Sequence, residues 1–519
     1  MLKPPKFYED KSMPDTETLY RKLVTHIQKA ALLSSCGSVL SWDRETYMPD
    51  GGNELRSRQL SLLAGLAHEW STSPEVGGLL DQLADSELND APDSETAVNI
   101  REIRRQYERA RRLPTDLVRE ISRVTALAQH HWAEARAANN FLQFEPWLQQ
   151  IVKLKQEEAA AVGYAENGEP YDALMDEYEP SVNSHRISGV FQQLRTELVP
   201  LLDAIRGSNA APDTSILTRS YPVAQQEKLA TLAAARVGFD FQRGRLDVTT
   251  HPFCSGFGPG DCRLTTRYDS RFFSAAFFGT LHETGHGMYE QGLREDAFGL
   301  PMGSAVSLGI HESQSRLWEN LVGRSQSFWK HFFPIATELF PDALDSVSEK
   351  DFHFAINSVT PSFIRVEADE VTYNLHIMLR FDLERQLISG ELAPADVSTA
   401  WNERFTADFG ITPPTDAEGC LQDVHWSAGL FGYFPTYALG NMYASQFFEA
   451  ARRQLGDVDQ QFANGEFRSL LNWLREHIHQ HGQRFPAGRL VEVVTGEPLS
   501  TGPLMKHLND RFRPLYGLS

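Results

Sequence analysis

Cysteine is scarce in this sequence of 519 residues, and no CxxC motif is present. Cys36, Cys254, Cys262 and Cys420 are scattered along the chain, and only the 254/262 pair lies close together. Such sparse and irregular spacing does not resemble a disulfide framework. We therefore expect no disulfides.

Long apolar runs are also missing. No stretch approaches the ~18 apolar residues that a membrane-spanning helix requires. An apolar signal-peptide core is likewise absent from the first residues, MLKPPKFYEDKSMPDT. The sequence therefore predicts a cytoplasmic protein with no membrane partner.

Positive charge is in deficit, with 49 Lys and Arg residues against 69 Asp and Glu residues and a net charge of −20. A surface of this sign repels a phosphate backbone, so we expect no nucleic-acid partner. Charged residues make up 23% of the chain and hydrophobic residues 41%. Both shares are ordinary for a folded globular protein.

Apolar residues recur at helical spacing along most of the chain. The pattern covers positions 16–42, 55–83, 94–112, 116–138, 145–162, 186–206, 223–237, 272–292, 306–322, 366–389 and 434–455. The exception is RLDVTTHPFCSGFGPGDCRLTTRYD, which follows Gly244, alternates in side-chain character and contains a Gly-Pro-Gly turn at 258–260. We predict a mainly α protein with a small antiparallel β-sheet. Because no repeat, low-complexity segment or long linker divides the chain, we expect a single large domain around a cleft.

The segment FFGTLHETGHGMYEQG contains His282, Glu283 and His286 in the HExxH arrangement. Positions four apart share one face of a helix, so both imidazoles can bind one cation at ~2.0–2.1 Å. Glu283 projects beside them, toward the water that the metal would activate. The motif predicts a zinc-dependent peptidase with Glu283 as the general base.

A catalytic zinc site also requires a third protein ligand and one open coordination position. Glu312, in SLGIHESQSRLWENL, is a candidate because the spacing of Leu308, Leu317 and Leu321 predicts a helix that could pack antiparallel to the HExxH helix. The same spacing is compatible with a surface glutamate on an amphipathic helix. Both interpretations remain open at this level.

Six motifs, in this order, resemble those of the carboxypeptidase Taq family of metallopeptidases, also called thermostable carboxypeptidases. They are His251-Pro252-Phe253, Asp261-Cys-Arg263-Leu-Thr265, His282 to His286, His311-Glu312-Ser313-Gln314, Ile364-Arg365-Val-Glu-Ala368-Asp369 and Gly419-Cys-Leu-Gln422-Asp423-Val-His425-Trp426. The segment 40–49 resembles the family's early signature as well. The resemblance therefore covers nearly the whole chain.

The resemblance implies a mostly helical fold with a deep active-site cleft, a homodimer, and a metal-dependent carboxypeptidase of broad specificity acting on peptides with a free C-terminus. It implies one metallocarboxypeptidase domain over 1–519, with a helical segment at 1–90 covering the cleft, the small sheet at 244–269 beside the HExxH helix, and the catalytic core at 272–440. Glu312 becomes the third ligand of Zn²⁺, with Co²⁺ or Mn²⁺ as alternatives.

The same resemblance suggests roles for further residues of the site. His425 and Tyr437, in QDVHWSAGLFGYFPTY, are the expected hydrogen-bond donors to the oxyanion or to the terminal carboxylate. A packed core tyrosine explains Tyr437 equally well. The position of His251 before a proline fits a structural role at least as well as a catalytic one.

Recognition of a C-terminal carboxylate favours a planar guanidinium, which can form two parallel hydrogen bonds. Arg365 is the expected residue, and its alternative role is an ion pair with Glu367 or Asp369. Arg263 is a weaker candidate, since its strand could frame the cleft or pair with the substrate backbone.

Two other functions remain compatible with the sequence. Many helical peptidases share HExxH followed by a distant glutamate, so a zinc endo-oligopeptidase or dipeptidase is the alternative among enzymes. A non-catalytic helical scaffold with a structural metal is the alternative from another class. The presence of Glu283 argues against the scaffold, because a structural site needs no base.

Overall fold

The chain is built mainly from α-helices, which confirms the predicted fold class. The computed structural model describes residues 15–518. The first 14 residues, to which most of the signal-peptide prediction applies, and Ser519 lie outside the described residues. Within the described range, every helix is too short or too polar to cross a membrane.

The helices of the N-terminal half follow the predicted ranges closely except for α7, which lies outside every predicted range, and the predicted range 55–83 divides into two helices. They are α1 (Thr16–Thr46), α2 (Asn53–Ser71), α3 (Pro74–Leu83), α4 (Glu95–Arg112), α5 (Thr115–Ala137), α6 (Phe141–Val162), α7 (Pro170–Met175), α8 (Ser184–Arg206) and α9 (Val223–Val237). Asp15, Ser73 and Ser94 accept hydrogen bonds from first-turn backbone N–H groups of α1, α3 and α4. These caps explain where the three helices begin.

The helices of the C-terminal half begin with the HExxH helix, α10. They are α10 (Phe273–Glu290), α11 (Leu308–Arg316), α12 (Gln326–Leu339), α13 (Pro341–Leu344), α14 (Glu349–Ile356), α15 (Tyr373–Ser389), α16 (Val397–Phe409), α17 (Pro435–Leu455), α18 (Val458–Ala463), α19 (Arg468–His477), α20 (Ala487–Thr495) and α21 (Gly502–Leu515). A π-helical segment, Leu317–Val322, continues α11. The helix predicted from position 366 begins later, because Arg365–Glu367 form a short 3-10 turn first.

The sheet has three strands, β1 (Gly244–Val248), β2 (Cys254–Gly258) and β3 (Asp261–Thr266), in the order β1-β3-β2. β2 and β3 pair antiparallel around the predicted turn. β1 pairs with β3 in parallel, so the prediction of a purely antiparallel sheet is wrong for this strand. Alternating side-chain character and a turn are enough to predict the hairpin of β2 and β3. They do not predict how β1 pairs, because that depends on the path of the chain between β1 and β2.

α10 is clamped between α11 and the sheet, and two glycines make this close packing possible. A Cβ atom at Gly285 would lie 2.5 Å from the carbonyl oxygen of Gln314 in α11. A Cβ atom at Gly287 would lie 2.7 Å from Cδ2 of Leu264 in β3. Both distances are far below van der Waals contact, so the glycines allow α11 and β3 to approach the backbone of α10. Because α10 is fixed on two sides, its histidines have a defined orientation.

The N-terminal helices have a small hydrophobic core of their own, which includes Leu23, Leu80 and Ile103 from α1, α3 and α4. The C-terminal part of α1 extends over the sheet. There Ser35 donates a hydrogen bond to the carbonyl oxygen of Phe257 in β2. The sheet is therefore enclosed by α1 on one side and by α10 on the other.

Candidate metal centre

Three side chains from α10 and α11 converge on one point. The Nε2 atoms of His282 and His286 lie 3.6 Å and 3.4 Å from Oε2 of Glu312. Donors bound to one tetrahedral metal at about 2.0–2.2 Å are separated by about 3.3–3.6 Å. The two imidazoles and the carboxylate therefore fit a divalent metal ion, and about a fifth of each histidine side chain is exposed.

Glu312 is buried, and its position depends on a glycine in α17. A Cβ atom at Gly440 would lie 2.6 Å from Cγ of Glu312, so a larger residue there would displace the carboxylate. Oε1 of Glu312 accepts a hydrogen bond of 2.7 Å from Arg316. Glu312 is therefore a buried carboxylate with a fixed orientation. These contacts do not agree with its interpretation as a surface glutamate on an amphipathic helix.

Burial and the local charges together keep two of the three side chains in the form that binds metal. Burial lowers the pKa of His286 to about 3, and the neighbouring His311 and His282 also lower it. Burial raises the pKa of Glu312, but Arg316 and His282 together hold it well below its usual range. His286 is therefore neutral and Glu312 is ionised at neutral pH, as metal ligation requires.

His282 has a carboxylate partner behind it. Its Nδ1 atom lies 2.9 Å from Oε2 of Glu319. Because Nε2 faces Glu312, Nδ1 carries the proton and donates it to Glu319, which fixes the orientation of the ring. Burial lowers the pKa of His282, but Glu312 and Glu319 outweigh burial and raise it above its usual value.

Glu319 belongs to a buried network of charges. Burial raises its pKa, yet Arg316 and His282 lower it to about 2, and Arg324 acts in the same direction. The sequence interpretation missed this residue. Its separation of seven positions from Glu312 within one predicted helix is a signal that could have identified it, because such positions share a face.

His286 has an imidazole partner in place of a carboxylate. The Nδ1 atoms of His286 and His311 lie 2.5 Å apart. Nε2 of His311 lies 2.8 Å from Oε1 of Glu290, the last residue of α10. The sequence motif contains His311 but does not predict its contact with His286, and no motif indicates the role of Glu290.

Glu283 is buried on α10, next to the first of the two histidines. Burial raises the pKa of its carboxyl group to about 7, against the lowering effect of His282. The charges of Glu312 and Glu319 contribute to this raised value. A carboxylate with a pKa near the working pH is suited to accept a proton and to give it back.

His425 and Tyr437 lie together, with 3.4 Å between Nε2 of the histidine and the tyrosine hydroxyl. Burial lowers the pKa of His425 against the raising effect of Asp423, and with the contributions of Arg365 and Arg380 the pKa is about 4, so the imidazole is neutral. Burial raises the pKa of Tyr437 well above its ordinary value, and the charge of Glu312 is among the further causes. The phenol is therefore protonated and lies within electrostatic reach of Glu312.

Arg365 forms an ion pair, but with a partner that the sequence did not suggest. Its Nε and Nη2 atoms lie 3.0 Å and 2.8 Å from Oδ1 of Asp423, and Nη1 donates to the hydroxyl of Tyr373 at 3.2 Å. The suggested partners Glu367 and Asp369 are wrong for the described structure. Asp369 instead accepts backbone hydrogen bonds at the start of α15.

Arg263 and His251 lie in the sheet region. The guanidinium of Arg263 forms two hydrogen bonds to Asp261, of 2.9 Å and 2.8 Å. It also stacks on the ring of Trp42 in α1, 4.3 Å from the ring centroid. These contacts connect β3 with α1, and the role of Arg263 at the cleft stays a prediction. His251 is exposed in the connection between β1 and β2.

Comparisons with known proteins match nearly the whole length of the chain. A family model described as carboxypeptidase Taq (M32) metallopeptidase matches residues 22–512. Thermostable carboxypeptidase 1 of Thermus thermophilus is 48% identical over 508 residues, which cover 96% of this chain and 99% of that protein. Carboxypeptidase 1 of Bacillus subtilis is 37% identical, with coverages of 95% and 97%. The crystal structure of the M32 carboxypeptidase from Deinococcus radiodurans R1 is 39% identical and superposes with a TM-score of 0.93, covering 96% of this chain and all of that one.

Proposed function

Since this chain belongs to the carboxypeptidase Taq (M32) family of metallopeptidases and is therefore a metal-dependent carboxypeptidase, we propose a mechanism based on His282, His286, Glu312 and Glu283. In it, the enzyme releases C-terminal residues from peptides with broad specificity. The observation that carries the proposal is the convergence of the three ligand atoms, all within 4.8 Å of one another, beside the buried carboxyl group of Glu283.

Zn²⁺ is the proposed metal, with Co²⁺ or Mn²⁺ as alternatives because affinity order alone does not decide metal use. His282 and His286 would hold it through Nε2, and Glu312 through Oε2. Two imidazoles and one carboxylate leave a coordination position open, as in catalytic zinc sites. When bound, the metal supplies Lewis acidity that polarises a carbonyl group and lowers the pKa of a water molecule.

Glu283 performs the proton transfers in this mechanism. Its carboxylate accepts the proton of the attacking water and then donates it to the amine that leaves. A pKa of about 7 supports both steps, since neither direction of transfer is strongly uphill near neutral pH. Burial also excludes competing solvent from this carboxyl group.

His425 and Tyr437 are the proposed hydrogen-bond donors to the oxygen on which negative charge develops. Their support is the neutral form of the imidazole and the protonated form of the phenol, each with a hydrogen to donate. Their proximity, at 3.4 Å, allows both to contact one substrate group.

Arg365 is the proposed receptor for the substrate's terminal carboxylate. Three of its five N–H groups are used by Asp423 and Tyr373, which leaves two for a bidentate contact. The pairing with Asp423 holds the guanidinium rigidly. A rigid fork loses little entropy when it binds a carboxylate.

The N-terminal segment, 1–90, is the proposed cover of the cleft in a single domain spanning 1–519. Its support is the contact of α1 with the sheet, where Tyr47 donates a hydrogen bond to Asp247 and Trp42 stacks on Arg263. In this proposal Arg263 frames the cleft, and its strand could also bind the substrate backbone by edge pairing.

A homodimer in the cytoplasm is also proposed. Its support is α2, none of whose residues is fully buried and whose Leu55 and Leu62 are 62% and 63% exposed. Exposed apolar side chains of this kind are suited to an interface between protein chains. Light scattering coupled to size-exclusion chromatography would measure the mass of the particle, for which twice 58.5 kDa is expected.

The decisive experiment compares peptides with free and amidated C-termini. A mixed peptide pool is incubated with the metal-loaded protein, with and without chelator, and the products are followed by mass spectrometry. Stepwise loss of C-terminal residues is expected, and it should be abolished by chelator and reduced to a low residual rate by amidation. Internal cleavage or equal cleavage of amidated peptides would favour the endo-oligopeptidase alternative. Hydrolysis of dipeptides alone would favour the dipeptidase, and no cleavage would favour the scaffold.

A further inference from the structure

Two thiols lie in contact beside the proposed metal centre. Cys254 begins β2, and Cys262 lies in β3, with 3.6 Å between their Sγ atoms. In the antiparallel pairing Cys254 is opposite Leu264 and Cys262 is opposite Gly256, so the two cysteines are diagonal neighbours. Side chains alternate between faces along a strand, and both thiols therefore lie on the same face of the sheet.

This face of the sheet is the one that packs on α10. Sγ of Cys262 lies 3.8 Å from the carbonyl oxygen of Gly287, the residue that follows His286. The thiol of Cys254 is within electrostatic reach of Glu283 and Glu290, whose charges are among the causes that raise its pKa. The thiol pair therefore lies against α10, at the residue that follows the proposed ligand His286.

A chain of contacts connects the strand that carries Cys254 with a metal ligand. Gly256, two residues further along β2, packs on the carboxylate of Glu290, and a Cβ atom at Gly256 would overlap it. Glu290 accepts a hydrogen bond from Nε2 of His311, whose Nδ1 faces Nδ1 of His286. Movement of β2 would therefore disturb the support of His286.

We propose that Cys254 and Cys262 are a modification site, at which a hydroperoxide oxidises the two thiols to a disulfide and loosens the metal ligand His286. In the first step the Cys254 thiol takes an oxygen atom from the hydroperoxide, giving a sulfenic acid and, from hydrogen peroxide, water. In the second step the Cys262 thiol displaces the hydroxyl of the sulfenic acid, which forms the S–S bond and releases a second water. The two sulfur atoms together lose two electrons, and the peroxide is reduced.

Cys254 reacts first because it is partly exposed, whereas Cys262 is buried. The neighbouring thiol and burial raise the pKa of Cys254, so little thiolate is present at neutral pH and the reaction is slow. Closing the bond brings the sulfur atoms from 3.6 Å to about 2.05 Å. β2 is an edge strand that pairs with only one other strand, β3, so it is the strand that moves.

The chemical step is tested on the full-length, metal-loaded protein with hydrogen peroxide as the probe. After exposure, free thiols are alkylated and the protein is digested with trypsin. Cleavage after Arg245 and Arg263 releases peptide 246–263, which contains both cysteines. The expected product is this peptide without alkylation and lighter by two hydrogen atoms, and dithiothreitol should restore two alkylated cysteines. Oxidation of the exposed Cys36 shows that the peroxide has reacted. If peptide 246–263 is still doubly alkylated at that point, or if Cys254 gains oxygen without forming a disulfide, the proposed site is wrong.

The effect on the metal is tested by transfer of the metal to a chromophoric chelator. Oxidised wild-type protein is expected to release it about tenfold faster, as when the support of a ligand is lost. Cys254→Ser should not respond to peroxide, and the matched control Cys36→Ser should respond like wild type. Equal release before and after disulfide formation would overturn the coupling to His286. This second part rests on the proposed ligand set, whereas disulfide formation does not, so the two can fail separately.

Discussion

The Nδ1 atoms of His286 and His311 lie 2.5 Å apart, and this pair determines where the protons of both rings are. His286 offers Nε2 to the metal, so its proton is on Nδ1 and is donated to His311. His311 must then accept at Nδ1 and carry its own proton on Nε2, which it donates to Glu290. Each proton position follows from the previous one.

Replacement of His311 by phenylalanine should weaken metal binding by about 10–100-fold, because the ring of His286 loses the acceptor that orients it. His311→Asn, which can still accept a hydrogen bond, should keep part of the affinity. Competition with a chelator of known affinity measures the effect. His130→Phe, a change of an exposed histidine, is the matched control. Unchanged affinity in His311→Phe would show that His286 is oriented by packing alone.

Metal affinity should depend on pH through His282 and not through His286. The raised pKa of His282 means that a proton competes with the metal until the pH exceeds that pKa. His286, with a pKa of about 3, has already lost its proton. Affinity should therefore increase about tenfold per pH unit below the pKa of His282 and level off above it.

Removal of the carboxylate that raises this pKa provides the test. In Glu319→Gln the point at which the affinity levels off should move to lower pH, and the maximal affinity should fall, since an amide orients His282 less well than a carboxylate. Chelator competition over a pH series gives both values for wild type and variant. A wild-type slope that indicates two protons would mean that His286 is also protonated.

Glu283→Gln should keep its metal and lose nearly all turnover. Glutamine has the shape of the side chain but cannot accept the proton of water, and a positioned base contributes about 10²–10⁴-fold to the rate. Elemental analysis and kcat on one peptide measure the two properties separately. His286→Ala is the contrasting variant, for which loss of the metal itself is expected. Turnover near the wild-type value in Glu283→Gln would assign the base to another group.

Asp423→Asn should destabilise the protein more than Arg365→Lys. Oδ1 of Asp423 accepts a hydrogen bond of 2.8 Å from Arg365, and Oδ2 accepts one of 2.7 Å from Arg380. Its neutralisation leaves two buried cations without compensation, and loss of one partner from a buried pair costs about 3–5 kcal/mol. Lysine at 365 keeps a charge near Asp423. Urea unfolding of the two variants gives the comparison, and equal stability would show that water compensates the arginines.

Arg365→Lys should reveal the proposed role in substrate binding. The variant keeps the positive charge but loses the fork, so kcat/KM should fall for a peptide with a free C-terminus. The residual cleavage of the amidated form should not change. A parallel decrease for both peptides would make Arg365 a structural residue that supports Asp423.

The sequence was sufficient for those features that depend on local geometry. The spacing of His282 and His286 places both on one face of any helix, and the apolar periodicity over 272–292 predicts that helix within two residues of its bounds, Phe273–Glu290. The hairpin of β2 and β3 follows from alternation around Gly-Pro-Gly. These are interactions between near neighbours in the chain, which leave a periodic or compositional pattern.

Only the tertiary structure decided which distant groups support the site. Glu319 contacts His282, which is 37 positions away in the sequence. Arg365 pairs with Asp423, which is 58 positions away, although Glu367 and Asp369 are much nearer in sequence. The parallel pairing of β1 with β3 was likewise decided only by the tertiary structure. Each of these contacts depends on how whole helices and strands pack through a shared core, as at Gly285, where α11 touches the backbone of α10. Packing of this kind follows from the shapes of many side chains together, so no single segment of the sequence encodes it.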